Sequence, residues 1–241
     1  MIHWEEPHSE EFIEGHIDCA GCYTIRTICE YQKLSDAFIR KYADKLYLLN
    51  ICKYQKLSEK LVDEVLVKYL DKVQWFYIGC YQHLSESFIK RHIDKLGRRT
   101  ISEYQKLSSG FRKEQGIPIS KNNWLYKRAA FKKKAVQETE LYECHKDYFI
   151  AYKAIRKDRY SIFNFQYKYE KGRVYEAHAD YTDAENGSGF SAGTKEFTKE
   201  YANEAEAIPC IIVRVKIYYK DVARVVHNGD KIRACKIEVL D

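Results

Sequence analysis

The sequence predicts an α+β protein. We expect an N-terminal short α/α solenoid of tandem helical repeats, a basic connecting helix, and a C-terminal α+β domain with an antiparallel sheet. Three observations carry this. The pentapeptide Tyr-Gln-Lys-Leu-Ser stands at residues 31–35, 54–58 and 104–108, and Tyr-Gln-His-Leu-Ser at 81–85. The apolar residues between these copies step by three and four, the period of a helix face. Beyond residue 147 the step becomes two and glycine turns appear, which is strand-and-hairpin grammar. The expected domains are therefore 1–110 for the repeat array, 111–146 for a basic linker or helix, and 147–241 for the α+β domain.

Within the array the serines Ser35, Ser58, Ser85 and Ser108 are spaced 23, 27 and 23 residues apart, and a weaker copy begins at Ser9. The long interval has a simple source. The segment after Ser58 carries four extra residues before Asp71-Lys72, about one helical turn. Each serine is placed to cap the N-terminus of a helix, and an acid often follows it, where the helix dipole favours negative charge. In one unit Leu34, Phe38, Ile39, Tyr42 and Leu46 recur at helical spacing. The second piece of each unit is shorter, and its apolar residues step by three: Ile25, Ile28, Tyr31; Leu48, Ile51, Tyr54; Trp75, Ile78, Tyr81. That favours a second helix, while its β-branched and aromatic content leaves a helix–strand repeat open. Ile28, Ile51, Ile78 and Ile101 are predicted to occupy equivalent buried positions. One such unit cannot bury its apolar face alone, but stacked units can.

The linker concentrates charge. The chain carries 41 Lys and Arg against 35 Asp and Glu, a net charge of +6. Between Arg112 and Lys134 eight cations (Arg112, Lys113, Lys121, Lys127, Arg128, Lys132, Lys133 and Lys134) face only Glu114, so the remaining chain is nearly neutral at 33 positive against 34 negative. Gly116, Pro118 and Lys121-Asn122-Asn123 read as a boundary. A helix is expected from about Asn123 to Tyr142. Trp124, Tyr126 and Phe131 interleave the charges. The eight cations are the candidate contacts to RNA, DNA or an acidic partner face, with the three rings as aromatic contacts; a solvated basic face is the plainer account.

In the last domain Tyr148–Ile155 reads as a strand, and Phe163, Phe165, Tyr167 and Tyr169 alternate as a second. Lys171-Gly172 is a turn before Arg173–Ala177. Gly187–Gly193 reads as a flexible glycine-rich loop. It lacks the Lys-Ser ending of a P-loop, so a phosphate cradle is the lesser reading. Thr194–Ala207 follows as a helix. Cys210–Tyr219 is an apolar strand, and Asn228-Gly229 turns a hairpin between Val222–Val226 and Lys231–Leu240.

Cys19 and Cys22 form C-x-x-C beside His16 and Cys29, and Cys144-His145 lies elsewhere. A zinc site needs four ligands in tetrahedral array, and a second ligand pair is missing, so we expect no bound metal. The eight cysteines are expected to be free, mostly buried thiols. The 21 tyrosines suit binding surfaces, although filling the repeat cores explains them more simply. We expect no cofactor and no catalytic residue. No apolar run approaches the roughly 18 residues that span a bilayer, and the N-terminus is polar and acidic. The expectation is a protein of the bacterial host cytoplasm with no membrane partner.

Residues 8–110, reading Leu-Ser-x-x-Phe-Ile, Asp-Lys-Leu/Val and Ile-x-x-Tyr-Gln-x-Leu-Ser, resemble repeats of uncharacterised bacteriophage and prophage proteins. The resemblance implies a viral origin and a helical array, with no activity attached. AYKAI (151–155), FQYKYEKGRVYE (165–176), GFSAGTKEFTKEYA (189–202), VKIYYKDV (215–222) and KIRACKIEVL (231–240) resemble a small phage domain also found fused to pentapeptide repeats. Lys153 after Tyr152, Phe190-Ser191 with Thr194 before a helix, and Glu238 resemble an ADP-ribosyltransferase layout. In that family a first-strand arginine or histidine grips NAD, a serine–threonine pair supports the site and a glutamate activates the acceptor; here lysine holds the first position. The preferred function is an interaction protein that binds and inhibits a host defence or regulatory complex, for example as an anti-CRISPR-type inhibitor. Its partner would be a protein or ribonucleoprotein. The alternatives are an NAD-dependent enzyme that modifies a host protein and a plain scaffold.

Overall fold

The helical period of the first half and the strand period of the second appear in the structure as helices followed by a sheet. The computed structural model describes residues 2–120, 123–162, 165–179, 181, 187–204 and 208–241. Among the described residues there are eleven α-helices and eight strands, so the chain is α+β, with the helices first and the sheet after them. By contacts it divides into one unit of Met1–Thr100 with Phe163–Tyr167 and another of Ile101–Ile162 with Lys168–Asp241.

The first unit holds α1 (Glu10–Ile17), α2 (Cys22–Tyr31), α3 (Asp36–Tyr42), α4 (Leu48–Tyr54), α5 (Glu59–Glu64), α6 (Lys72–Tyr81) and α7 (Glu86–Leu96). Both pieces of each repeat are therefore helical, which resolves the helix-or-strand alternative. Ser9, Ser35, Ser58 and Ser85 each accept the N–H three residues on, from Phe12, Phe38, Leu61 and Phe88, at 3.1–3.2 Å. These are ordinary N-caps, worth about 1 kcal/mol each. The next acid links neighbouring repeats: Glu59 accepts from the Ser85 amide at 2.5 Å and its hydroxyl at 2.8 Å, and Glu10 accepts from the same two groups of Ser35. The four extra residues in the third unit do not lengthen α5. They form a 3-10 turn, Leu66–Lys68, which buries Leu66. Asp71 then caps α6 with a reciprocal bond to Gln74.

The second helices stack α2 on α4 and α4 on α6. Ile28, Ile51, Ile78 and Ile101 are each fully buried. Each accepts the N–H of the glutamine four residues on, Gln32, Gln55, Gln82 and Gln105, at 3.0–3.1 Å. The four isoleucines are thus equivalent, as the repeat predicts.

The second unit opens with the end of α8 (Arg98–Tyr104) and α9 (Ser109–Gln115), the latter capped by Ser108 and closed by Gly116 in the left-handed region. The single helix expected from Asn123 to Tyr142 is broken. A 3-10 turn, Trp124–Tyr126, precedes α10 (Ala129–Gln137), and the chain turns at Glu140 with φ +59°. The break has a cause in bonding. The Asn123 amide donates to the Ser102 carbonyl at 3.0 Å, and the Tyr126 hydroxyl accepts the Leu107 N–H at 2.9 Å. A continuous helix would move both side chains off these targets.

The strands are β1 (Glu143–Cys144), β2 (Tyr148–Arg156), β3 (Val174–Glu176), β4 (Phe190–Gly193), β5 (Cys210–Tyr218), β6 (Val222–Val226), β7 (Lys231–Ala234) and β8 (Lys236–Val239). They form one antiparallel sheet in the order β3-β8-β5-β2-β4-β7-β6, with β1 on β2. β2 and β5 pair over nine residues, from Tyr148 opposite Tyr218 to Arg156 opposite Cys210. α11 (Lys195–Glu204) packs on β2, β4 and β5. β6 and β7 form the hairpin expected at Asn228-Gly229.

Two expectations fail here. Phe163 lies outside the described residues, but Phe165 and Gln166 form a turn rather than a strand, and among the described residues the predicted strand is represented by an isolated bridge, Tyr160 to Lys168. Alternation was a false strand signal because the Phe165 N–H is used on the Tyr31 carbonyl. The glycine-rich segment is not wholly loop either, since Phe190–Gly193 is β4, paired with β7. Gly193 is required there: a Cβ would stand 2.5 Å from the Asp230 carbonyl oxygen.

Candidate binding surfaces

The residue that organises the array is the glutamine of each Tyr-Gln-x-Leu-Ser copy. A primary amide has two donors and an acceptor, and Gln32, Gln55 and Gln82 each use all of them. Gln55 Nε2 donates to the carbonyls of Cys29 at 2.9 Å and Gln32 at 2.7 Å, and Oε1 accepts the Leu34 N–H at 3.1 Å. Gln82 repeats the pattern one unit later on Cys52, Gln55 and Leu57, at 2.8, 2.8 and 3.1 Å. Gln32 does the same with Trp4, Glu6 and His8, so the N-terminal segment stands in for a preceding repeat. All are buried. In the second unit Asn123 reaches the carbonyls of Ser102 and Gln105, at 3.0 and 3.5 Å, with the same chemistry on a shorter side chain. Sequence reasoning saw the repeated glutamine but not its task. The signal was there: an uncharged amide recurring at a helix end, beside carbonyls that have no helical partner.

The recurring polar residues are consumed in stacking, and among the array's exposed apolar groups is a set on the second-helix layer whose residues differ between repeats. Tyr23, Tyr47, Val73 and Phe76 are 76%, 45%, 52% and 44% exposed. All lie on or at the start of second helices, and the Arg26 guanidinium sits 5.8 Å from the Tyr47 ring centre. Large exposed rings gathered on one helical layer mark an interaction face.

The basic segment is less available than its sequence implies. Lys121 lies outside the described residues. Lys132 is buried and donates to the Lys220 carbonyl at 3.0 Å; burial lowers its pKa to about 8. Position 132 falls one helical turn before the buried Val136, on the face of α10 that packs on residues 219–221 and β6, so this lysine is structural. Lys133 is half-buried and donates to the Lys146 carbonyl at 2.7 Å. The Arg112 guanidinium lies 5.0 Å from the Tyr126 ring centre, and Lys127 lies 5.3 Å from that of Phe131. Lys113, Arg128 and Lys134 are exposed, with Lys134 3.6 Å from Glu138. Of the three rings, Trp124 packs on Ala179, Tyr181 and Ala223, Tyr126 is hydrogen-bonded, and Phe131 is 48% exposed.

The residues singled out for chemistry are dispersed. Cys19 and Cys22 are exposed, whereas burial pushes the thiols of Cys29 and Cys52 up to about 12. Among the described residues no group of three or more His, Cys, Asp or Glu is arranged to hold a metal, and no helix is long and apolar enough to cross a membrane. At the start of α11, Thr194 Oγ1 accepts the Phe197 N–H and lies 3.3 Å from an Asp230 carboxylate oxygen. This negative charge opposes a phosphate at that helix end. Lys153 Nζ does meet the Ser191 carbonyl at 3.0 Å, so two residues of the transferase-like layout come together. Glu238 does not join them. It sits opposite Lys216, which sits opposite Ile150, and it pairs with Lys216 at 2.7 Å. Side chains alternate along a strand, so Lys153, three residues from Ile150, points to the other face of the sheet.

Comparison with protein-family models, with curated proteins and with solved structures finds no match to this chain.

Proposed function

We propose that this chain is a non-catalytic binding protein whose repeat array presents an aromatic face to a protein component of a host defence or regulatory complex. Inhibition of the anti-CRISPR type is one form this would take. The supporting observation is the exposed set Tyr23, Tyr47, Val73 and Phe76 on a stacked helical layer whose recurring polar groups are already bonded internally. The host and the viral setting rest on the resemblance of the repeats to phage proteins. Exposed Lys113, Arg128 and Lys134 supply a second, electrostatic contact to an acidic or nucleic-acid component.

The test is affinity capture from a bacterial lysate, with and without nuclease, comparing the unaltered chain with a Tyr23→Ser, Tyr47→Ser, Phe76→Ser variant. These rings are exposed, so the variant should melt within a few degrees of the parent. We expect a defined complex that survives nuclease and is lost with the variant. Equal capture by both proteins, or capture that disappears with nuclease alone, overturns the reading.

A further inference from the structure

The array already holds a short piece of the chain's own sequence, and the way it is held defines a ligand. α2 and α4 end alike, at Tyr31-Gln32 and Tyr54-Gln55, with the glutamine turning to extended backbone at ψ 150° and 149°. In each, the tyrosine carbonyl belongs to the last helical turn, where no intrahelical donor follows. These two carbonyls occupy the same position in successive repeats. Phe165 donates its backbone N–H to the Tyr31 carbonyl at 3.4 Å, and its ring is buried. The next residue, Gln166, donates Nε2 to the Tyr54 carbonyl at 2.6 Å, and that nitrogen lies 3.3 Å from Gln55 Oε1. Phe163–Tyr167 belongs by contacts to the array's unit.

Two adjacent residues therefore read two adjacent repeats, one through its backbone and one through a side-chain amide. A tyrosine hydroxyl or a lysine in place of Gln166 would put a different length or a charge beside the amide of Gln55. A single side-chain amide nitrogen reaches both the Tyr54 carbonyl and Gln55 Oε1, so the position fits a planar amide of glutamine length.

We propose that this row of tyrosine carbonyls is a peptide-binding groove. Its ligand is a partner protein's extended segment bearing an apolar ring followed by a side-chain amide, and Phe165-Gln166 is a built-in competitor that such a segment must displace. The groove stands on a different observation from the exposed aromatic face, and either can fail alone.

The experiment uses the full chain and a fluorescein-labelled peptide of residues 161–169. Binding is read by fluorescence anisotropy to the unaltered protein and to a Phe165→Ala, Gln166→Ala variant. We expect the vacated variant to bind the peptide at least tenfold more tightly than the unaltered chain, and a peptide with Gln166→Ala to lose about tenfold. Equal binding to both proteins, binding to neither, or indifference to the peptide's glutamine overturns the proposal. So does concentration-dependent dimerisation by exchange of this segment, which would make a second copy the occupant. Should the double variant not fold, amide hydrogen exchange on the unaltered chain answers the same question. Saturating peptide must speed exchange at Phe165, and unchanged protection overturns the proposal. If a captured complex is lost on changing Tyr23, Tyr47 and Phe76 but is indifferent to residues 165 and 166, the aromatic face stands and the groove falls.

Discussion

Replacing Gln55 by leucine tests the amide ladder directly. Leucine is similar in size, so little packing is lost, but it neither donates nor accepts. The carbonyls of Cys29 and Gln32 and the N–H of Leu34 would lose partners now at 2.9, 2.7 and 3.1 Å. Leaving a buried polar group unsatisfied costs about 1–3 kcal/mol. Three such groups give a range from about 3 to 9 kcal/mol before relaxation. Water reaching one of them leaves two, an expected loss of about 2–6 kcal/mol, a large part of a stability of roughly 5–15 kcal/mol. Gln55→Glu should be as harmful, because a carboxylate offers no donor and sets negative charge against two carbonyl oxygens. Gln32→Leu should cost less, because its partners Trp4, Glu6 and His8 lie in the N-terminal segment, which can open to water. The assay is urea unfolding followed by far-ultraviolet circular dichroism, with midpoint and slope compared at fixed pH. A loss below about 1 kcal/mol for Gln55→Leu would refute the ladder as the source of repeat stacking.

Three further outcomes are expected. Ile78→Ala, at a fully buried position, should cost about 2–4 kcal/mol in the same assay; a loss under about 1 kcal/mol would show that the equivalent isoleucines do not form a tight core. Lys132→Glu should destabilise by about 3 kcal/mol or more, because it removes the bond to the Lys220 carbonyl and buries a carboxylate near Asp221, whereas exposed Lys134→Glu should stay within about 0.5 kcal/mol; equal effects would refute the structural role of Lys132. Lys132 also sets a pH dependence. Its pKa is about 8 in the fold against an ordinary 10.5, so below pH 8 both states carry the proton and burial of the charge destabilises the fold. Between those values only the unfolded chain keeps the proton, and stability rises with pH. The stability of Lys132→Met relative to the parent should therefore fall between pH 7 and pH 10, by about 3 kcal/mol at most; a constant difference between the two proteins refutes it.

What the sequence made legible follows from how local each cause is. Serine caps, the isoleucine positions and the Asn228-Gly229 hairpin depend on residues within one element, and all appear as expected. The expectations that failed depended on distant partners. Phe165 and Tyr167 alternate like strand residues, but the Phe165 N–H finds the Tyr31 carbonyl, 134 residues away in sequence. Asn123 and Tyr126 looked like helix and aromatic contact, yet their polar ends are fixed by residues 102–107. Lys132 reads as one of three like charges, and only the packing of Val136 one turn later betrays which face of α10 is inward. The basic cluster was thus visible as composition, while the division into buried and exposed members was not.

The repeat also shows where a partner can obtain specificity. The letters that recur, Ser, Ile, Tyr, Gln and Leu, cap helices, fill the core and tie one repeat to the next, so they cannot distinguish one face of the array from another. The letters that vary are not held to one duty. Nine residues before the glutamine stand Tyr23, Leu46, Val73 and Leu96, and their fates alternate: Tyr23 and Val73 are exposed, Leu46 and Leu96 buried. The cause is helix length. α2 and α6 have ten residues and begin early enough to include this position, whereas α4 and α8 have seven and begin two residues after it. The leucines therefore end the preceding stretch and turn inward, while the longer helices carry their residue on an extra turn toward solvent. A fixed internal ladder with alternating second-helix length lets the surface change without disturbing the stacking. The alternation thus exposes Tyr23 and Val73 at the same position two repeats apart, while Tyr47 and Phe76 add rings where the first repeat carries Thr24 and Arg26, so a partner that reads this face meets a different set of side chains at each repeat.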